Sequence, residues 1–285
     1  MRLATQTHRQ QIKVGSPGLI LVLLDQSQSM SLPFGIAESG AGTRTKAQVA
    51  ATAVNRVIYE IQKASQSGRE TRDRCFVGVI TYGKDVTPVV GGWISEVARS
   101  FSGTEVHTVT LTDREGAPRE AKQELPMWVR PEADNGTPMD RAMEQAYALA
   151  KDWVRKYGKC FPPVVLNITD GDPNDLQQGG DGTATAAAAR RLMELESEDG
   201  DLLLFNAHIS GERMDREISL PSSPPEGNRF AEFLFGISSV IPDTLVDRAR
   251  REGFSPQADA RGLVFNASPE TLVRLLAFGS APMLH

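Results

Sequence analysis

The chain has 285 residues and a net charge of −5 with no long basic run, which argues against nucleic acid as a main partner. Its 40% hydrophobic content is enough for a sizeable core in one large domain, and no apolar run approaches the roughly 20 residues of a membrane-spanning helix. Residues 1–14, MRLATQTHRQQIKV, lack the apolar centre of a signal peptide, and Cys75 and Cys160 have no metal-type spacing, so the expectation is a cytoplasmic protein with reduced thiols.

In chain order, Leu19 to Leu24 is a continuous apolar run, the pattern of a strand buried on both faces, and it stops at Asp25. A polar loop leads to a helical pattern from about Lys46 to Ser67, with Ala47, Ala50, Val54, Val57, Ile58 and Ile61 on one face. Phe76 to Tyr82 predicts a second strand, turned at Gly83 and Lys84 into a hairpin with Val86 to Val90. Residues 91–135 read as an insertion, with an extra strand at VHTVTLT and a charged, exposed connection at REGAPREAKQELP. Helical pattern resumes at NGTPMDRAMEQAYALAKDWVRK, where Met139, Ala142, Met143, Ala146, Ala150 and Trp153 form a stripe. PVVLNITD is another buried strand that ends in a carboxylate, Asp170. A loop rich in Gly and Asp, the helix ATAAAARRLMELESE and the strand LLLFNAHIS follow. Residues 211–229 read as a surface insertion, and FAEFLFGISS fits either strand or helix. The chain closes with a helix near Thr244 to Arg251, the strand GLVFNA and the helix SPETLVRLLAF.

Strands alternating with helices of this length imply an α/β fold whose mainly parallel sheet is covered on both faces, with the hairpin supplying one antiparallel edge strand. One domain over residues 1–285 is expected, with insertions near 91–135 and 211–229. In such sheets ligands bind beyond the carboxyl ends of the strands, where Asp25 and Asp170 both fall.

Three motifs carry a resemblance. DQSQSM at residue 25 resembles the D-x-S-x-S element of von Willebrand factor A (VWA) domains, NGTPMDRAM resembles the Gly-Thr pair that opens a helix in that family, and NITDGDPND resembles its TDG element after a central strand. The likeness runs over roughly residues 17–280, with the three motifs in the family's order. It implies a Rossmann-like, doubly wound domain with a metal-ion-dependent adhesion site (MIDAS). Carried over position by position, Ser27, Ser29 and Thr137 ligate the ion through hydroxyls, while Asp25 and Asp170 act through bound waters and by orienting the hydroxyls. Gln28 stands where the family often has Gly, so the backbone there is expected to need no positive φ, and its side chain to face solvent or a partner. Hydroxyl, carboxylate and water are hard oxygen ligands suited to Mg²⁺ or Mn²⁺. Three neutral hydroxyls leave most of the ion's charge uncompensated, which favours an Asp or Glu carboxylate from a partner protein at the open position. Overall likeness, including RGLVFNASPETLVRLL, is to stand-alone bacterial VWA proteins of the tellurite-resistance type. That likeness implies a stress or defence system and a partner among kinase, phosphatase or ATPase components, with no nucleic acid and no membrane.

Other readings stand beside these. Ser27 and Ser29 fit ordinary turn residues, Thr137 fits a helix N-cap with Pro138 in the first turn, and Asp170 fits a cap on the turn at Gly171. DGDPNDLQQGGD fails as an EF-hand, having Asp175 where Gly is required and Asp181 where Glu is. The histidines at 8, 107, 208 and 285 are scattered, and His208 reads as a core residue. The rival functions are a metal-dependent hydrolase or phosphatase, opposed by the lack of a general base other than Asp25 and Asp170, and a substrate-docking subunit of an ATP-driven complex. Because the site lies at the mouth of the sheet, Asp170→Ala is expected to leave the fold intact.

Overall fold

The run from Leu19 to Leu24 has no polar face, so it makes a strand only where both faces are covered. In the computed structural model, which describes residues 8–34, 44–112, 118–210 and 216–280, it lies in β1 (Gly18–Asp25), buried along its whole length. Leu19, Leu21 and Leu23 enter one apolar layer, and Ile20, Val22 and Leu24 enter the other. The chain continues through α1 (Lys46–Ala64), β2 (Cys75–Tyr82), β3 (Val86–Trp93), β4 (Gly103–Thr112), β5 (Pro118–Met127), α2 (Met139–Lys156), β6 (Val164–Thr169) and α3 (Thr183–Met193). It then forms β7 (Leu203–His208), β8 (Ile218–Ser219), α4 (Arg229–Gly236), α5 (Asp243–Arg251), β9 (Leu263–Phe265) and α6 (Pro269–Ser280).

Seven of these strands form one sheet in the order β8-β9-β7-β6-β1-β2-β3. The five central strands are parallel, and both edges are antiparallel. Helices α1, α5 and α6 cover one face, and α2, α3 and α4 cover the other. This is the Rossmann-like, doubly wound architecture expected of the chain. Winding reverses between β1 and β6, so the crevice beyond their carboxyl ends is the topological switch point, where such sheets take ligands. No helix among the described residues is long and apolar enough to cross a membrane.

The extra strand expected at VHTVTLT is present, and the charged connection expected after it holds a second strand. VHTVTLT lies in β4 and PREAKQELP in β5, the two arms of one antiparallel ribbon, in register from Gly103 opposite Met127 to Thr112 opposite Pro118. The second arm is a strand despite its charge, because a ribbon outside the main sheet needs no continuous apolar face. Within 211–229, Ile218 and Ser219 pair with Phe265 and Val264 as a second antiparallel edge, and Leu220 is buried. FAEFLFGISS is mainly helix, and the Asn228 side chain caps α4 by accepting the Ala231 N–H at 2.9 Å. Residues 113–117, 211–215 and 35–43, the last within the polar loop before α1, lie outside the described residues.

Beyond the ribbon, the chain is held by one buried side chain of α1. Asn55 accepts the Trp128 and Val129 N–H groups at 3.0 and 2.9 Å and donates to the Val129 carbonyl at 2.9 Å. Asn55→Ala strands three buried backbone groups, so it is expected to cost about 2–3 kcal/mol in chemical denaturation. A loss below ~0.5 kcal/mol would mean that water takes over those bonds.

Candidate metal centre

β1 delivers Asp25 to the switch point, and the chain turns at once into a short 3₁₀ segment, Gln28–Ser31, that buries Met30. Asp25 is fully buried; one carboxylate oxygen accepts the Ser27 N–H at 2.7 Å and the other accepts the Thr169 hydroxyl at 2.7 Å. Burial first, and then the neighbouring Asp170 charge, push the Asp25 carboxyl up to about 7. Gln28 is exposed and is not among the residues with positive φ, which matches its reading.

Three oxygens converge there. Ser27 Oγ and Ser29 Oγ lie 3.0 Å apart, and they approach Asp170 Oδ1 at 3.3 and 2.7 Å. An octahedron with oxygens about 2.1 Å from Mg²⁺ places neighbouring ligands roughly 3.0 Å from one another. The Ser27 Oγ–Ser29 Oγ separation therefore matches one edge of such an octahedron, with Asp170 Oδ1 accepting from both hydroxyls behind it. Among the described residues no group of three or more His, Cys, Asp or Glu is placed to hold a metal; the candidate donor set is this mixture of hydroxyls and carboxylate. It fits a small, hard cation.

Thr137 reaches the same mouth through its backbone. Asp134 N–H donates to the Gln26 carbonyl at 2.6 Å, and Ser27 and Asp134 form a parallel bridge. Gly136 takes φ +88°, where an L side chain is strained, and a Cβ there would sit tightly at 3.3 Å from the Gly83 carbonyl oxygen; the Gly of the Gly-Thr pair suits both. Asn174 clamps the other side, accepting the Thr137 N–H at 2.8 Å and donating its own N–H to the Thr137 carbonyl at 3.0 Å. Thr137 is buried, and α2 starts at Met139 with Pro138 at the cap position and no side-chain cap bond, so the N-cap reading of Thr137 is not realised. Asp25, Ser27, Ser29 and Asp170 thus form one hydrogen-bonded cluster, with Thr137 held on the adjoining loop.

Three participants were not read from the sequence. Thr169 supports Asp25, Asn174 holds the Thr137 loop, and Lys46 puts its ammonium 2.9 Å from Asp170 Oδ2. Lys46 opens α1 behind a capping box in which Thr45 accepts the Gln48 N–H and Gln48 accepts the Thr45 N–H. The T-x-x-Q signature was present in the sequence and marks where the helix begins. His208, at the end of β7 beside Thr169, is stacked on Phe265 and accepts the Asn266 N–H at 3.3 Å. Burial pushes its imidazole down to about 4, as suits a neutral core residue. Cys75 and Cys160 are free and buried.

No protein-family model and no curated protein matches the chain. Among solved structures, the PilB minor pilin of Streptococcus sanguinis is similar at 12% identity and a TM-score of 0.44, over 92% of this chain and 60% of that one. Proximal thread matrix protein 1 of the mussel byssus is similar at 11% identity and 0.42, over 79% and 42%. The ArnB paralog VWA2 of Sulfolobus acidocaldarius is similar at 13% and 0.34, over 68% and 35%. This chain therefore spans less than two thirds of the length of each of the three. The fold assignment rests on the sheet order and register given above.

Proposed function

We propose that this chain is a VWA-type, non-enzymatic interaction module of the cytoplasm. It docks a partner protein through a divalent ion held by Ser27, Ser29 and Thr137, with Asp25 and Asp170 behind them. The observation that carries this reading is the oxygen triangle of Ser27, Ser29 and Asp170 at the switch point. When bound, Mg²⁺ or Mn²⁺ supplies an open coordination position for a partner's Asp or Glu. The chain's own residues orient the hydroxyls: Asp25 fixes the Ser27 backbone, and Asp170 receives both serines. A hydrolase would need a free general base here, but Asp25 is engaged by Ser27 and Thr169, and Asp170 by Ser29 and Lys46. The proposed partner is a component of a kinase, phosphatase or ATPase system, in a stress or defence setting. Stable recognition needs at least ~1,000 Å² of buried surface, so the loops around the strand ends and the β4–β5 ribbon would supply the remaining contacts.

Titration calorimetry is expected to find one Mg²⁺ or Mn²⁺ site, lost when Ser27→Ala and Ser29→Ala are combined in a protein that still melts cooperatively. Unchanged ion binding in that variant overturns the site. In the native complex, EDTA and Thr137→Ala are each expected to weaken partner binding tenfold or more. A complex that survives both uses another face.

A further inference from the structure

Three neutral hydroxyls leave one charge out of account, and the structure supplies it. The Lys46 side chain is 9% exposed and the Asp170 side chain fully buried, with Nζ 2.9 Å from Oδ2. The other oxygen of the same carboxylate closes the triangle with Ser27 and Ser29. One carboxylate thus faces a tethered ammonium on one side and the candidate ion on the other. The Lys46 stem starts from a fixed point, because its backbone N–H donates to the Leu32 carbonyl at 3.0 Å and the capping box sets the helix start.

We propose that Lys46 is the specificity-determining residue of this site: its tethered charge weakens binding of the divalent ion alone and strengthens the preference of the loaded site for an acidic partner residue. This rests on the metal-docking reading above. With both carboxylates ionised, Asp25, Asp170 and Lys46 sum to −1 (two negative charges and one positive), and a divalent ion takes the cluster to +1. Without Lys46 the same steps run from −2 to 0. A loaded cluster at +1 attracts a carboxylate by field as well as by coordination; a neutral one attracts it by coordination alone. The groups are buried, so salt screens this difference poorly. Linkage requires that the carboxylate tighten ion binding by the same factor as the ion tightens carboxylate binding. Lys46 therefore makes ion and partner bind together, with each weak alone.

The test uses the full chain, Mn²⁺ as the ion and acetate as the carboxylate probe, with calorimetric constants corrected for the acetate complex of free Mn²⁺. Lys46→Gln removes the charge and keeps a donor for Asp170, and Lys46→Arg keeps the charge; thermal melting confirms that both fold. Lys46→Gln is expected to bind Mn²⁺ roughly tenfold or more tightly than the wild type, and Lys46→Arg about as the wild type does. Acetate is expected to tighten Mn²⁺ binding several-fold more in the wild type and Lys46→Arg than in Lys46→Gln. Equal Mn²⁺ affinity in all three folded proteins overturns the role of Lys46 and leaves the docking reading standing. Absence of Mn²⁺ binding in all three overturns the docking reading itself. Binding by Lys46→Gln alone upholds the charge opposition but shows that the ammonium stands in the ion's place, which overturns docking through an ion.

Discussion

Asp170→Ala is expected to lose ion binding and, in EDTA, about 3–5 kcal/mol of stability as well. For a chain of this size that corresponds to a fall of roughly 10 °C in melting temperature. The sequence reading expects Asp170→Ala to leave the fold intact, because the site lies at the mouth of the sheet rather than in the core. The burial of Asp170 and its pairing with Lys46 argue for the loss instead. The Asp170 side chain is fully buried, accepts hydrogen bonds from Ser27 and Ser29, and is the counter-charge of the buried Lys46 ammonium. Removing it leaves that ammonium desolvated beside nothing of opposite sign at hydrogen-bond distance, and breaking one side of a buried pair costs far more than the pair itself contributes. The same reasoning gives the control. Lys46→Met combined with Asp170→Leu removes both charges and fills the volume, so most of the lost stability is expected to return even though ion binding does not. If Asp170→Ala melts within a degree or two of the wild type in EDTA, Lys46 has swung into water.

What made the fold readable was periodicity. β1 and β6 are parallel and buried on both faces, so their largely apolar runs, and the carboxylates that end β1 and follow β6, stand out along the chain. The three motifs then fall at the ends of adjacent elements, and the sheet order brings them to one crevice. The features that escaped lack a local signal. β8 has two residues, too few to show any period, and β5, PREAKQELPM, is charged because a ribbon beside the sheet has little apolar surface to hide. Lys46 and Asp170 are 124 residues apart, and a Lys at a helix start reads as a surface residue until the fold places a carboxylate against it. Thr169 and Asn174 lie inside the NITDGDPND motif, but their roles depend on what faces them across the crevice, Asp25 and Thr137, which only the folded chain decides.

Asp25 and His208 are expected to pull stability in opposite directions as pH changes in EDTA. Asp25 has its folded value raised from 3.8 to about 7, first by burial and then by Asp170, so its contribution is fully present below about pH 4 and is lost as pH rises through about 7. His208 has its folded value lowered from 6.5 to about 4 by burial, so its contribution is present above about pH 6.5 and is lost as pH falls through about 4. The two windows overlap almost completely, and in the wild type the two slopes nearly cancel. Single substitutions separate them. From pH 4 to pH 7, Asp25→Asn is expected to gain about 4 kcal/mol relative to the wild type, because the variant no longer ionises a carboxyl in a buried position. From pH 6.5 down to pH 4, His208→Asn is expected to gain about 3 kcal/mol relative to the wild type, because no buried imidazole then has to stay neutral against the solvent. Denaturant titrations at each pH read both differences, and constant offsets from lost packing drop out of the slopes. Saturating Mg²⁺ is expected to abolish the Asp25 difference, since a cation at Ser27, Ser29 and Asp170 favours the ionised Asp25. Parallel pH profiles for Asp25→Asn and the wild type in EDTA would show instead that Asp25 stays ionised throughout, with water or a cation reaching it in the folded protein.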